Sequence, residues 1–415
     1  MSRRTILDVH ILQTVPPSNI NRDDTGAPKS AVFGGVRRSR VSSQAWKKAT
    51  RTAFEELLDP AELGVRTKKV VEALTERITA REESLTTGQV WPMAAEIVQV
   101  ATGAKIETPT RKTTSKAAKG EDAEETADPQ APQSSYLLFL SARQLDALAD
   151  LAIEGLGKKA EPKVFLKDAQ VKARAKKAAA SRHSVDIALF GRMVADNTDI
   201  NVEAAAQVAH ALSVHAVDLE TDYFTAVDDQ NTNAEPGAGM IGTVDFNSAT
   251  LYRYAAVDIN RLADNLDAGL NDDGDDRNKE PVRRAVEAFI EGFTLSMPTG
   301  KVNTFGNHTL PDAVIVKLRS ARPVSFVGAF ETPVTQGSPT ETTEEPQGHV
   351  QAACRALAEH IPAVEQAFGA TADHTWIVRV GKQTEDLESL GEPVTLRELV
   401  TQVGDAVADR LGKRG

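Results

Sequence analysis

The sequence predicts an α+β fold in which helices pack on one face of an antiparallel sheet. Three observations carry that reading. Residues 5–13 alternate, with Leu7, Val9 and Ile11 on one side and Asp8 and His10 on the other, the period of a half-buried strand. Residues 44–58 repeat at helical spacing. The second half supplies strands at 184–194, 251–259, 313–318 and 324–330 around one further helix.

The first strand gives way to a polar, turn-rich stretch that ends at Phe33-Gly34-Gly35. The helix after it opens at Ser42 or Ser43 and stops before Asp59-Pro60. Residues 107–134 lack large apolar side chains, so burial cannot offset their ordering entropy, and disorder is expected there and again at 333–348. The basic stretch 158–182 reads as a helix or a mobile arm. Residues 184–194 read as a strand, with Val185, Ile187 and Leu189 on one face. Pro281 suits the first turn of a helix running to about Ser296.

At 415 residues, 41% apolar and 26% charged, the chain has the composition of a soluble globular protein. No run approaches the roughly 18 apolar residues that span a bilayer, and no export signal is read at the N-terminus. No membrane partner is expected. Cys354 is the single cysteine, which excludes an internal disulfide framework and a thiolate-rich zinc site and makes a reducing cytoplasm the expected compartment. Net charge is −11, but unevenly spread: residues 1–51 hold ten Lys/Arg against three Asp. A basic segment on an acidic body suits a protein that grips a polyanion in one place.

That segment has a focus. At about 100° per residue, Trp46, Ala49, Ala53 and Leu57 share one arc of the helix, while Gln44, Lys47, Lys48 and Arg51 share the opposite one. Arg37, Arg38 and Arg40 lie just upstream, and Ser42 and Ser43 stand at the helix start. Free N–H groups and the positive dipole end there favour phosphate. The same pattern also suits an amphipathic helix with a solvated basic face.

Several words of the sequence resemble, in order, the CasC family, the backbone subunit of the type I-E CRISPR Cascade complex in the RAMP superfamily. They are Asn21-Arg22-Asp23-Asp24, Phe33-Gly34-Gly35, Arg37-Arg38 and Ser42-Ser43-Gln44. Asp186-Ile187-Ala188-Leu189 with Gly191-Arg192-Met193, the stretch from Ala209-His210 to His215, 224–229 and Tyr252-Arg253-Tyr254 come next, so the resemblance covers roughly 4–330. Tyr223 departs from it, standing where tryptophan is expected.

The resemblance implies an RRM-like, ferredoxin-like palm (1–60 with 250–330), a helical finger region (61–182), and a palm strand with a β-hairpin thumb (183–249). A C-terminal segment at 331–415 completes the chain. It further implies a non-catalytic protein, without metal or cofactor, that polymerises with other copies of itself along a CRISPR RNA. The palm holds the backbone and the thumb displaces a base at intervals, so that the guide can pair with a target DNA strand beside other Cascade subunits. Carried over by position, Asn21, Arg22, Lys29, Arg38, Ser42, Gln44, Lys47, Lys48 and Arg51 are the expected backbone contacts. Met193, Tyr223, Phe224 and Val227 are the expected wedge, since an apolar or aromatic side chain can replace a base's stacking surface.

Other signals are weaker. Gly237-Ala238-Gly239-Met240-Ile241-Gly242 satisfies G-x-G-x-x-G, but it precedes a β-like stretch rather than a helix, and a hairpin tip is expected. The acidic run around Asn271-Asp272-Asp273-Gly274 lacks a leading carboxylate for a calcium loop. His210 and His215, five apart, would not share a metal. The principal alternative function is a metal-dependent ribonuclease using Asp23 or Asp24, whose ordinary role would be to order their loop. A single-copy RNA-binding module is the third reading.

Overall fold

Strand β1 (Ile6–Ser18) forms the middle of the sheet, and every residue from Ile6 to Gln13 is buried. In the computed structural model, residues 4–109, 130–194, 197–226, 240–266, 279–335 and 348–412 are described. The chain divides into two units, Met1–Leu57 with Ala205–Ala263 and Ala268–Gly415, and Leu58–Ala204 with Asp264–Asp267.

The first unit continues with β2 (Ser30–Phe33), β3 (Val36–Val41), α1 (Ser43–Leu57), β4 (Ala206–Val208), β5 (Ala211–Ser213), β6 (Glu220–Ala226) and β7 (Met240–Asp258). Then come α2 (Glu280–Leu295), β8 (Ala313–Arg319), α3 (His349–Phe368), β9 (His374–Arg379), β10 (Glu392–Pro393) and α4 (Leu396–Gly412). The strand order is β10-β9-β8-β1-β7-β5-β3-β2, with β4 and β6 also pairing with β7. Taken as β1–α1–β5–β7–α2–β8, the middle of this sheet has the β-α-β-β-α-β arrangement of an RRM-like, ferredoxin-like fold. The expected α+β class holds.

One face of the sheet looks at α1 and α2. Ile11 pairs with Arg253, whose guanidinium lies 3.7 Å from the Trp46 ring centre and 4.6 Å from that of Phe293. The sequence places helices on one face, and α3 covers the other as well. Leu12, Tyr252, Ala313 and Ile315 pack there with Cys354, Leu357 and Ile361. This explains why Asp8 and His10, the polar side of the alternation, are buried as well.

Three local expectations are corrected. Residues 324–330 do not form a strand; Val327–Phe330 is a 3-10 turn, because Phe326 and Phe330, four apart, both enter the core. Residues 184–194 do not form a strand either. Val185–Phe190 is a short helix of the second unit, begun by the Asp186 carboxylate, which accepts the Ser184 hydroxyl at 2.6 Å and the Ile187 N–H at 3.0 Å. Six residues give alternation too few turns to be told from a helical stripe. In α1 the buried line is Trp46, Thr50 and Phe54, while Ala49, Ala53 and Leu57 are half-buried. The arc is rotated because Phe54, the larger side chain, enters the interface with α2.

The second unit is helical. Val70–Arg81, Thr87–Thr102, Ala142–Gly157 and Ala169–Ala180 share a core that includes Leu74, Ile97, Leu148 and Val171. The basic stretch 158–182 forms helices Pro162–Phe165 and Ala169–Ala180. Val171, Ala175 and Ala179 face inward at four-residue spacing, leaving Lys172, Arg174, Lys176 and Lys177 exposed. Ile106–Glu107 pairs with Gln133–Ser134, closing the base of the 107–134 segment. Residues 110–129, 336–347 and the acidic run within 267–278 lie outside the described residues. Among the described residues no helix is long and apolar enough to cross a membrane.

Candidate nucleic-acid interface

The start of α1 is built by the loop before it. The Asn21 side-chain oxygen accepts the Ser42 N–H at 2.8 Å, and the Ser42 hydroxyl accepts the Ala45 N–H at 3.3 Å. Asn21 also accepts the Lys29 N–H through its carbonyl, and Lys29 accepts the Arg40 N–H, both at 2.9 Å. The Asn21 side chain and two backbone hydrogen bonds thus fix Asn21, Lys29 and the helix start to one another. Arg22 and Pro28 close the loop as an isolated bridge.

Asp23 orders the tip. Its carboxylate accepts the Thr25 N–H at 2.9 Å, the Thr25 hydroxyl at 2.7 Å and the Ala27 N–H at 3.1 Å. These bonds, the Thr25 hydroxyl first, hold its carboxyl below the usual range. Among the described residues no group of three or more His, Cys, Asp or Glu is placed to hold a metal.

Along α1, Gln44 and Lys48 are exposed while Lys47 and Arg51 are half-buried. Burial pushes the Lys47 ammonium pKa down. The second basic element is β3, where Arg40 donates to the Ser30 carbonyl at 3.2 Å and approaches His210 Nδ1 at 3.0 Å. The His210 pKa is lowered by partial burial, then by the charges of Arg40 and Lys29, so the imidazole sits neutral in a positive field. Arg40 and His210 were not among the expected contacts, although both stood in words singled out by sequence. Their contact, made where His210 precedes β5 beside β3, needed the strand order to become visible.

Arg38 does not join them. It is buried, and its guanidinium donates to the carbonyls of Phe33 (3.1 Å), Ser213 (3.0 Å), Phe330 (2.8 Å) and Glu331 (3.3 Å). Those four bonds use four of its five N–H donors and hold β2, β5 and the Val327–Phe330 turn together. A strand inside a sheet buries part of its length, and Arg38 stands on the buried part of β3 while Arg37 is exposed. The Phe33-Gly34-Gly35 word has a matching cause. Gly34 and Gly35 have φ of +59° and +78°, and a Cβ on Gly34 would stand 1.6 Å from the Glu331 oxygen.

The β6–β7 hairpin carries the aromatic pair. Tyr223 faces Thr243 and Phe224 faces Gly242 across the strands, so the two rings lie on opposite faces. Tyr223 is 60% exposed and Phe224 38%. Val227 lies outside the described residues, as does the rest of 227–239. The run 237–242 ends in a strand, as expected from its lack of helical context. Met193 belongs to the second unit and is 86% exposed. Its neighbour Arg192 is buried, donating to the carbonyls of Ile200, Phe139 and Ala179 at 2.8, 3.1 and 2.8 Å.

Comparison with known proteins gives a consistent result. Among curated proteins no sequence matches the chain significantly. A solved chain of a "CRISPR RNA-guided surveillance complex, pre-nicking" is similar at 31% identity and a TM-score of 0.73, over 97% of this chain and 100% of that one. A second, from a "CRISPR RNA-guided surveillance complex", is similar at 28% identity and a TM-score of 0.67, over 97% of this chain and 99% of that one. The family model described as CT1975-like protein matches residues 7–402, and the chain therefore belongs to the CT1975-like family of CRISPR-associated proteins.

Proposed function

We propose that this protein is the guide-RNA-binding backbone subunit of a type I-E CRISPR surveillance complex, of the CasC kind, polymerising along the spacer. The observation that carries the reading is the rim formed by the 19–29 loop and the start of α1, where Asn21 fastens loop to helix and Gln44, Lys47, Lys48 and Arg51 continue along one side. A phosphate at the helix start and others one and two turns along match the spacing of these side chains. Arg22, Lys29 and Ser42 complete the backbone contacts, and Arg40 adds to them. Arg38 serves the fold. Tyr223 and Phe224 on the thumb hairpin act on base stacking, and the family resemblance assigns the same role to Val227 and Met193. The palm, finger and thumb divisions derive from this assignment, as do a cytoplasmic setting, association with other Cascade subunits and pairing of the guide with target DNA. Contacts of this kind read the backbone rather than the sequence, which suits a subunit that must accept any spacer.

The protein acts without catalysing cleavage. Asp23 is committed to three hydrogen bonds within its own loop, which supports an ordering role over a metal-binding one. The test is a titration with single-stranded RNA at several salt concentrations, with particle size measured in parallel. Tight, salt-sensitive binding with growth into regular assemblies is expected. Absence of binding both alone and after co-expression with the other subunits would overturn the reading, and Mg²⁺- or Mn²⁺-dependent cutting lost in Asp23→Ala or Asp24→Ala would replace it with the nuclease.

A further inference from the structure

The last glycine of the 237–242 run stands directly under an aromatic ring. Gly242 is the cross-strand partner of Phe224. A Cβ built on it would meet the Phe224 ring at Cζ (2.4 Å), Cε1 (2.9 Å) and Cε2 (3.1 Å). These are the three outermost ring atoms, so the far end of the ring lies over the glycine backbone. The backbone of Gly242 itself is not in the left-handed region, and any L-residue could adopt it. Glycine weakens a strand and has no side chain to pack. What its absence of a side chain supplies here is a seat for the ring, an arrangement known to pin strand register. The opposite face of the hairpin shows the contrast: Tyr223 faces Thr243, a residue with a side chain, and stands 60% exposed.

We propose that Gly242 is a positioning residue that lays the Phe224 ring down across the hairpin, so that one face of the ring is presented as a fixed platform for a nucleobase. Tyr223 is then the projecting ring and Phe224 the seated one. The inference rests on the reading of this hairpin as the element that acts on base stacking, and it deepens it by naming the residue that sets the ring's pose. A seated ring has already lost its rotamer freedom, so a base that stacks on it does not have to order it. The obstruction to a side chain at 242 is the movable end of another side chain rather than backbone. Alanine there should leave the strands paired and push the ring off its seat.

The experiment uses the full chain assembled on single-stranded RNA that carries one 2-aminopurine, moved stepwise through successive positions. Fluorescence reports whether that base is stacked. Phe224→Ala is expected to change the signal at the positions the hairpin touches, Gly242→Ala to reproduce at least half of that change, and Gly242→Ala in the Phe224→Ala background to add nothing. If Phe224→Ala leaves every position as in the parent, the stacking role of the hairpin fails. If Phe224→Ala acts and Gly242→Ala does not, the positioning role fails while the stacking role stands. Should Gly242→Ala lose RNA binding or folding, the double variant decides: return to the level of Phe224→Ala supports the seat, and no return means that the glycine serves the backbone and overturns it.

Discussion

The two faces of the palm sheet each bury an arginine, and they solve the problem differently. On the side of α3, Arg319 donates to Asp8 at 2.7 Å and to Glu365 at 2.8 Å, and Lys317 reaches Glu365 at 3.0 Å. Two cations meet two carboxylates, with the Tyr254 hydroxyl also donating to Asp8 at 2.9 Å. On the side of α1 and α2, Arg253 is equally buried, yet no carboxylate among the described residues pairs with it. It lies between Trp46 and Phe293, donating to the Gln13 side-chain oxygen at 2.6 Å and to the Phe293 carbonyl. Burial pushes its pKa down to about 9, which leaves it charged at neutral pH. One face is therefore a closed ionic network that fastens the C-terminal segment to the sheet. The other uses ring faces and carbonyls to seat the helix that carries the proposed RNA contacts.

This contrast is broken most easily at Arg319. Arg319→Met would leave Asp8 and Glu365 buried against Lys317 alone, and losing one partner of a buried ionic group costs about 3–5 kcal/mol. Urea unfolding measures it, and RNA affinity of the folded fraction should stay within about threefold. The second variant reverses the pattern. Lys47→Ala with Arg51→Ala should weaken RNA binding by the folded protein about 100-fold, roughly tenfold for each phosphate contact. The log–log salt slope should shrink by about 1.4, since each contact on a single strand contributes about 0.7. An unchanged slope would move the RNA site away from α1. Arg253→Met comes third. The cation takes its desolvation cost with it, and methionine keeps a polarisable contact with Trp46, but two buried acceptors lose their donor. A cost of about 2 kcal/mol is expected, and a loss larger than that of Arg319→Met would refute the distinction between the faces.

The parts that were legible in the sequence are those governed by local pattern. β1 and α1 could be read from period. The G-x-G-x-x-G run could be set aside because the residues after it, 243–247, have the character of a strand. The parts that were not legible depend on partners far along the chain. Asp8 and His10 looked like the solvent side of an alternating strand, because nothing near them announces that 349–368 returns to cover that face. Arg38 reads in the sequence as an RNA contact, although its carbonyl partners come from residues 33, 213, 330 and 331. Phe224 could be named as a wedge from the family words, but its seat lies 18 positions away on the opposite strand, in a run singled out for a different reason.

The smallest effect lies where the covered face meets α3, and it depends on pH. His215 and His349 stack at 3.8 Å between ring centres, with planes 9° apart. His215 is held neutral from both sides: its Nδ1 donates to the Ala216 carbonyl at 2.8 Å, and its Nε2 accepts the Thr250 N–H at 3.1 Å. Its pKa is lowered by burial and then, despite the Ala216 bond, by His349 and Arg38; that of His349 is lowered by burial. For a base whose folded pKa lies below its unfolded value near 6.5, both states are neutral above that value and nothing is lost. As pH falls through about 6.5 the unfolded chain takes up the proton first, so stability declines until the folded pKa is reached. His349→Gln removes one of the two titrating groups and the cation that would form against His215. Thermal unfolding at pH 7.5 should be nearly unchanged in this variant, whereas the drop between pH 7.5 and 5.5 should be smaller than in the parent. An equal drop in both would mean that the acid sensitivity of this face lies elsewhere, and not at Asp8, whose carboxyl pKa is raised by burial and which takes up its proton first in the folded state.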